Sequence, residues 1–471
     1  MALWADLPPE LLGRIADGLG LKCYTSARGA CAAWRRVLPP PAPALLVLAG
    51  NEWGHSCPAF AASLPTRRPF ALAPFASYNS RCVGSSGDWI AISVVPYLER
   101  RAVIVLLNPV TAAEVVLPPL IYDTVWVVSK VVFAPGPAKD DFAAAAICGS
   151  DRIAYVTPGG RRWAVLDPVS VAAGDHFTDL VYHGEGKVYC LTRCGDVRVL
   201  LLPERRRRQP ATVNGSEFSL LQTPENIRRW LSAARTPTEG MAIDVLRNVS
   251  DLFVRLSPEC RGEDLNEVAT IEPLLSTENA GSSPGIAFAP PYDIVSRLTG
   301  AKNLVICEGN LYQVWRNTSC TVTLQLPGGG RRRTPLNEIF VLRYYPQRQP
   351  CWDVVKCLGG YSFFIGRNNA MSMYAEGLPG IRPNCVYWIG GNGKDQGMIF
   401  DMETGSSTSY GIPDITVPEH PHRTVCWYLL KDMVTPLPPP PPQPAAVAAT
   451  EQGMHRQQQQ NKVLQYPWYS G

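Results

Sequence analysis

The chain has 471 residues, of which 46% are hydrophobic and 18% are charged, and its formal net charge is +4. This apolar content excludes a wholly disordered chain, and the length allows two to four domains at roughly 100–200 residues each. The near balance of charges speaks against a protein dedicated to nucleic acids or membrane surfaces.

Residues 1–38 have the pattern of a short helical module. An apolar stripe on a first helix consists of Leu11, Leu12, Ile15 and Leu19. The residues before it, Asp6, Pro8, Pro9 and Glu10, predict the start of this helix, because proline suits the first turn and acids lie well near the positive end of the helix dipole. A second helix is predicted to begin near Thr25 or Ser26, with one face formed by Ala27, Ala30, Cys31, Trp34 and Val37. A module this small buries too little surface to be stable alone, so we expect its stripes to pack on another surface. Residues 39–44, Pro-Pro-Pro-Ala-Pro-Ala, predict a stiff linker that holds the module apart, which favours a second polypeptide as that surface.

Residues 45–435 have the pattern of a long series of short β-strands with Gly, Asn, Asp and Pro between them. Strands are predicted at 88–95, 102–107, 125–133, 180–191, 311–315, 321–326, 339–345 and 361–365. Asx turns are predicted after strands at Asn108, Asp167 and Asp401. Repeated hairpins over this length are hard to close as one sandwich, whereas radial packing buries both faces of every sheet. The sequence therefore predicts a β-propeller.

Two segments depart from this pattern. Residues 205–280 contain an apolar stripe at helical spacing between Met241 and Leu256, which predicts a helical insertion lying against the propeller. Residues 436–471 are rich in Pro and Gln and predict a disordered tail. The predicted fold class is thus mainly β: a small all-α N-terminal module, a β-propeller with a helical insertion, and a disordered C-terminal tail.

The 14 cysteines are scattered, with no Cys-x-x-Cys pair, and the chain has only 6 histidines. We therefore expect no metal site and no cofactor. Asp6 and Glu10 interrupt any secretory leader pattern, and no run approaches the ~18–20 apolar residues of a membrane-spanning helix. These features favour a cytoplasmic or nuclear protein with reduced thiols and no membrane partner.

The N-terminal residues resemble an F-box. The resemblance rests on Trp4-Ala-Asp-Leu-Pro-Pro-Glu-Leu-Leu at the start and on Cys31-x-x-Trp34-Arg35 at the end. It implies docking on the Skp1-type adaptor of an SCF (Skp1-cullin-F-box) ubiquitin ligase. The residues that would form or support this contact are Leu7, Pro8, Leu11, Leu12, Ile15, Cys31 and Trp34.

Three C-terminal segments resemble the KIB-type (DUF295) domain of plant F-box proteins, which is expected to be a propeller. They are residues 358–375, 380–388 and 398–405. Together the two resemblances imply a substrate-recognition subunit that binds the adaptor, and through it cullin, at the helices and an unknown client protein at the propeller.

We expect no catalytic residues. The Gly-Ser-Ser-Pro-Gly segment at 281–285 fits a serine nucleophile pattern, but Pro284 lacks the N–H that an oxyanion hole needs. The arginine runs at 205–208 and 331–333 lack interleaved aromatics, so nucleic acid is not an expected partner. Two alternatives stay open: an interaction scaffold whose degenerate F-box binds no adaptor, and a propeller enzyme with a helical appendage.

Overall fold

The computed structural model describes the N-terminal helices and most of the β region. The chain divides into two units, Met1–Val434 and Thr435–Gly471, and the described residues belong to the first. They are 7–38, 44–50, 57–63, 69–76, 80–94, 101–118, 120–121, 128–138, 141–149, 152–158, 160, 163–166, 175–203, 269–274, 287–318, 320–325, 329–366, 370–378, 380–389, 397–410 and 422–429. The predicted linker up to residue 43, the predicted tail and most of the predicted insertion lie outside these ranges.

The described helices are α1 (Pro9–Asp17), α2 (Leu21–Ala30), α3 (Ala32–Val37) and α4 (Tyr292–Leu298). The prediction of one second helix from about Thr25 was wrong, because α2 begins just after the extended residue Gly20. Cys31 is also extended, with φ −156° and ψ 168°, and it separates α2 from α3. None of the described helices is long and apolar enough to cross a bilayer.

The strands form six sheets of four or five strands, together with one separate hairpin. Sheet 1 contains β1 (Ala44–Gly50), β2 (Cys57–Ser63), β3 (Pro69–Ala76) and β28 (His422–Leu429). Sheet 2 contains β4 (Ser80–Ser86), β5 (Trp89–Val94), β6 (Arg101–Leu107), β7 (Glu114–Val116) and β8 (Leu120–Ile121). Sheet 3 contains β9 (Val128–Phe133), β10 (Ala144–Cys148), β11 (Arg152–Val156) and β12 (Ala164–Val165).

The remaining sheets follow in chain order. Sheet 4 contains β13 (Phe177–His183), β14 (Lys187–Thr192), β15 (Val197–Leu201) and β16 (Thr270–Pro273). Sheet 5 contains β17 (Ala301–Cys307), β18 (Asn310–Arg316), β21 (Ile339–Tyr344) and β22 (Trp352–Val354), and the separate hairpin is β19 (Val322–Gln325) with β20 (Arg331–Thr334). Sheet 6 contains β23 (Tyr361–Ile365), β24 (Ala370–Tyr374), β25 (Cys385–Ile389), β26 (Gly397–Asp401) and β27 (Ser406–Tyr410).

The sheets form the predicted β-propeller. Buried hydrophobic clusters fill the spaces between neighbouring sheets, so both faces of each sheet contribute to a core. The ring closes where β28 pairs antiparallel with β1, with Leu46 opposite Trp427. The Trp427 indole N–H also donates to the Ile365 carbonyl of sheet 6 at 3.2 Å. Strands buried on both faces show continuous apolar runs, as in β10, where every residue is buried.

The turns follow the local chemistry that the sequence predicts. Glu308 and Gly309, with φ of 49° and 71°, form the two-residue turn between β17 and β18. Positive φ at both positions is the geometry of a type I′ hairpin. Asn108 Oδ1 accepts from the amides of Val110 and Thr111 at 3.0 and 2.9 Å, which confirms this Asx turn. The turn at Asp401 is confirmed in the same way, and Asp167 lies outside the described ranges.

The predicted helical insertion extended too far. Residues 270–273 form the edge strand β16, with Ile271 opposite Leu200 of β15. The strand was missed because Glu272 and Pro273 are poor strand formers, and proline is confined to positions such as this edge strand.

One edge strand of each sheet packs against the edge strand of the next, in the order β28, β4, β9, β13, β17 and β24. We call them the inner strands. Because the blades of a propeller are related by rotation about its central axis, these strands run in the same direction. The propeller therefore has an entry end, where they begin, and an exit end, where they finish. The hydrogen bond from Tyr361 at the start of β23 to Glu308 just after β17 agrees with this, since β23 is antiparallel to β24. At the exit end, the Tyr428 hydroxyl donates to the Asp88 carbonyl at 3.0 Å and joins the end of β28 to the turn after β4. Halfway along, Lys130 of β9 pairs with Asp179 of β13 at 2.7 Å.

Candidate functional site at the N-terminal helices

Helix α1 starts where the sequence predicts and presents two different faces. Pro9 occupies its first turn, and the Pro8 carbonyl accepts from the amides of Leu11 and Leu12 at 3.1 and 3.0 Å. Proline is well suited to this position because its missing N–H would have no intrahelical partner there. Glu10 adds a negative charge near the positive end of the helix dipole.

The buried face of the helices lies on the propeller itself. Leu12 is 1% exposed, and it shares one hydrophobic cluster with residues of sheets 1 and 2. The other helical members of this cluster are Ala16, Leu21, Tyr24 and Leu38, and the propeller members include Phe70, Ile90, Leu107 and Val110. The expectation that the propeller would not cover the helices was therefore wrong for this face. The stripe is not held away from the chain's own β region.

Two specific contacts attach α2 to the propeller. The Tyr24 and Phe70 rings meet edge to face, with centroids 5.4 Å apart and an interplanar angle of 63°. The Lys22 ammonium donates to the Thr111 carbonyl at 3.4 Å, beside the turn between β6 and β7. This turn lies at the exit end, so the helices cover the space between sheets 1 and 2 near that end.

The opposite face of α1 is exposed in the part of the chain that the structure describes. Leu11 is 48% exposed and Ile15 is 43% exposed, one helical turn apart. Pro8 is also exposed, and Leu7 is half-buried. Leucine and isoleucine side chains at i and i+4 form one apolar surface on a helix. These residues are the part of the predicted adaptor contact that the structure leaves accessible.

The other predicted contact residues have supporting positions. Leu12 points to the propeller core, so it holds α1 in place. Cys31 Sγ accepts from the Trp34 amide at 3.4 Å and caps α3, while Trp34 is half-buried against the same core cluster. The Arg28 guanidinium donates to the Leu38 carbonyl at 3.1 Å, which ties α2 to the end of the module. The predicted adaptor-contact residues therefore fall into two groups. One group is accessible on α1, and the other is buried and holds the helices in position.

Sequence reasoning missed the strongest anchors of the module. Leu21 and Tyr24, one turn apart on α2, are 1% and 2% exposed. Their spacing is a helical signal, but the predicted second helix begins only near Thr25 or Ser26, after both residues.

A thiol pair, Cys82 and Cys426, lies in the same cluster. Hydrogen bonding between these thiols raises the pKa of Cys426 and lowers the pKa of Cys82.

The entry end contains a buried lysine with a structural role. The Lys302 ammonium donates to the carbonyls of Ser296 and Thr299 at 2.5 and 2.8 Å, at the C-terminal end of α4. Burial lowers its pKa to about 8. Cationic groups at this end stabilise a helix by bonding to its last carbonyls. Within the described ranges, no group of three or more His, Cys, Asp and Glu side chains is arranged to hold a metal ion.

Comparison with known proteins identifies the family of the propeller. Residues 60–414 match the family model of the KIB1-4 beta-propeller. The chain belongs to the KIB1-4 beta-propeller family. The match extends from β2 to just beyond β27, so the KIB1-4 region covers most of the ring and leaves out the helices. The family model agrees with the propeller predicted from the C-terminal segments.

Other comparisons give weaker likenesses. No curated protein matches the chain significantly. A structure assigned as a 6-phosphogluconolactonase from Bacteroides fragilis is 11% identical, with a TM-score of 0.33 over 78% of this chain and 81% of that one. The yeast Nup82-Nup159-Nup116 nucleoporin complex is also 11% identical, with a TM-score of 0.33 over 76% of this chain and 82% of the other. These likenesses carry no argument about the KIB1-4 propeller.

Proposed function

We propose that this chain is the substrate-recognition subunit of an SCF-type ubiquitin ligase. Its helices would act as an F-box that binds a Skp1-type adaptor, and its propeller would bind a client protein. It would perform no covalent chemistry itself. The resemblance of residues 1–38 to the F-box of plant proteins with a DUF295 domain supports the helical part, and the KIB1-4 match supports an interaction propeller.

One observation carries the proposal. The helices bury one apolar face on their own propeller, yet Leu11 and Ile15 stay 48% and 43% exposed on the other face of α1. Together with the half-buried Leu7, this pair forms one contiguous apolar surface, which is the kind of surface that a partner protein covers. Complete burial of a fully exposed side chain of this size contributes roughly 1.5–3 kcal/mol, so a partner that covers the remaining half of Leu11 and Ile15 would contribute about 1 kcal/mol for each.

The packing of the module also gives the client a defined position. Because Leu12 and Tyr24 fix the helices to sheets 1 and 2, a client on the propeller would be held at a set distance and angle from the adaptor. A rigid attachment makes transfer between two bound partners quasi-intramolecular, and geometry then limits it.

A pull-down with purified Skp1-type adaptor tests the proposal on the full chain. Leu11→Lys and Ile15→Lys should each abolish recovery of the adaptor, because they place a charge on the accessible stripe. Leu201→Lys is the matched control, since Leu201 is 37% exposed on sheet 4 and is remote from the helices. Equal recovery with all three variants, or no recovery with the unaltered chain, would overturn the adaptor contact.

A second candidate function rests on the burial of Leu12, Ala16 and Tyr24. These side chains complete the core between sheets 1 and 2, so the helices have a structural purpose even without an adaptor. The chain would then be a plain interaction scaffold. The same pull-down distinguishes the two, because a scaffold of this kind recovers no adaptor in any variant.

A further inference from the structure

The hairpin of β19 and β20 extends from the end of the propeller that is opposite the helices. It is inserted between β18, which ends at Arg316, and β21, which starts at Ile339. Since β17 finishes at the exit end, the antiparallel β18 finishes at the entry end. The helices lie beside the exit-end turn that contains Thr111. The hairpin is therefore on the side that an adaptor bound to the helices leaves open.

Polar contacts hold the base of the hairpin. The Asn317 side-chain amide donates to the carbonyls of Cys320, Thr334 and Pro335 at 2.7, 3.3 and 3.0 Å. These carbonyls belong to both arms of the hairpin, so a single side chain joins the two. The Arg316 guanidinium donates to Asn337 Oδ1 at 3.1 Å just beyond it.

The inward face of the hairpin is packed against α4. Val322 and Leu324 line a small cavity together with Val295 and Leu298. Arg332 is on the same face, because it lies opposite Leu324 in the antiparallel register. Its guanidinium lies 5.4 Å from the ring centre of Tyr292 and 5.1 Å from that of Phe340. It also pairs with Glu338 at 3.5 Å.

The outward face carries the two other arginines. Arg331 and Arg333 are exposed and lie opposite Gln325 and Thr323, which are also exposed. Within the described part of the chain, neither guanidinium has an ion pair or a side-chain hydrogen bond. The result is a pair of unpaired positive charges on a strand whose position is set by Arg332 and Asn317.

Resting on the proposed function, we propose that this outward face docks an acidic segment of the client protein. Arginine binds carboxylates through two parallel N–H donors, and like charges on one strand attract an acidic chain from a distance. Because the hairpin is already ordered before the client binds, docking costs the hairpin little conformational entropy. Thr323 and Gln325 offer no aromatic surface for stacking bases, which favours a carboxylate-bearing peptide over a nucleic acid.

The test uses the full chain and a fluorescein-labelled poly-glutamate peptide of about ten residues as the probe, at about 0.05 M salt. Fluorescence anisotropy should show binding that weakens about tenfold in the Arg331→Glu/Arg333→Glu double variant. The matched control is Arg348→Glu/Lys356→Glu, which changes the net charge equally at exposed positions of sheet 5. Its affinity should stay within about twofold of the unaltered chain.

Three results would overturn the inference: no binding by the unaltered chain, equal weakening in both double variants, or stronger binding of single-stranded DNA that the hairpin substitutions abolish. The first two mean that the hairpin is not a specific site, and the third assigns it to nucleic acid. An adaptor pull-down with the Arg331→Glu/Arg333→Glu variant shows whether a failure concerns the hairpin or the proposed ligase function. A failed peptide test with normal adaptor recovery refutes the hairpin alone, and a failed adaptor test with hairpin-dependent peptide binding refutes the ligase role alone.

Discussion

The Tyr24 ring of α2 meets the Phe70 ring of β3 edge to face at 5.4 Å, and both residues are 2% exposed. This contact links the helical module to the sheet that closes the ring. It converts a module that is too small to be stable alone into part of the propeller core. The accessible face of α1 is thereby held on a rigid support.

Replacing a side chain by alanine should change the free energy of unfolding by different amounts on the two faces of the module. We expect Tyr24→Ala to lower the free energy of unfolding by about 3–5 kcal/mol, because it removes a buried aromatic ring and leaves a cavity. Ile15→Ala, on the accessible face, should change it by no more than about 0.5 kcal/mol. Urea denaturation of the full chain measures both values. Equal losses for the two variants would contradict the assignment of faces.

Removing one partner of the buried ion pair between Lys130 and Asp179 should strongly lower the free energy of unfolding. Asp179 also accepts from the Leu304 amide at 2.7 Å, so it links three inner strands. Asp179→Ala should destabilise the chain by about 3–5 kcal/mol, since it leaves a buried ammonium and a buried N–H without an acceptor. Thermal or urea unfolding provides the measurement.

The control for this prediction is the exposed pair of Arg348 and Asp353, whose atoms lie 3.9 Å apart with side chains 61% and 62% exposed. Arg348→Ala should cost less than about 1 kcal/mol, because water screens such pairs. A small effect of Asp179→Ala would show that the inner strands do not depend on this link.

Lys302 should make stability increase with pH relative to a variant without it. Burial lowers its pKa from 10.5 to about 8 in the folded chain. Between these values the unfolded state binds more protons than the native state, so the contribution of Lys302 to stability rises with pH. The stability difference between the unaltered chain and Lys302→Met should move in favour of the unaltered chain by about 2 kcal/mol from pH of about 7 to about 10.

Lys302 interacts with the charges of Cys194, Arg193 and Asp175, so subtracting the variant removes the effect of the other cysteines and of the tyrosines that titrate in this range. Lys356→Met, at an exposed position, is the control for the loss of one positive charge. A pH-independent difference for Lys302→Met would mean that the ammonium is not desolvated as the structure indicates.

The sequence by itself determined the class of fold and most of the local structure. Alternating apolar segments and Gly or Asx turns indicated the strands, because strand periodicity and turn chemistry are local properties. The start of α1 was predicted for the same reason, since Pro9 and Glu10 act within one helical turn. The break at Cys31 was missed, because an extended residue inside a helical pattern leaves no periodic signal.

The tertiary structure decided which side of each element faces inward. Leu11 and Leu12 are adjacent residues with the same side chain, yet Leu11 is 48% exposed and Leu12 is 1% exposed. The difference depends on Phe70, Ile90 and Val110, which are distant in the sequence and meet α1 and α2 only in the folded chain. Burial depends on these contacts between residues far apart in the chain, and local sequence patterns do not specify them. The same reason separates Arg332, which stacks on Tyr292, from the exposed Arg331 and Arg333 on either side of it.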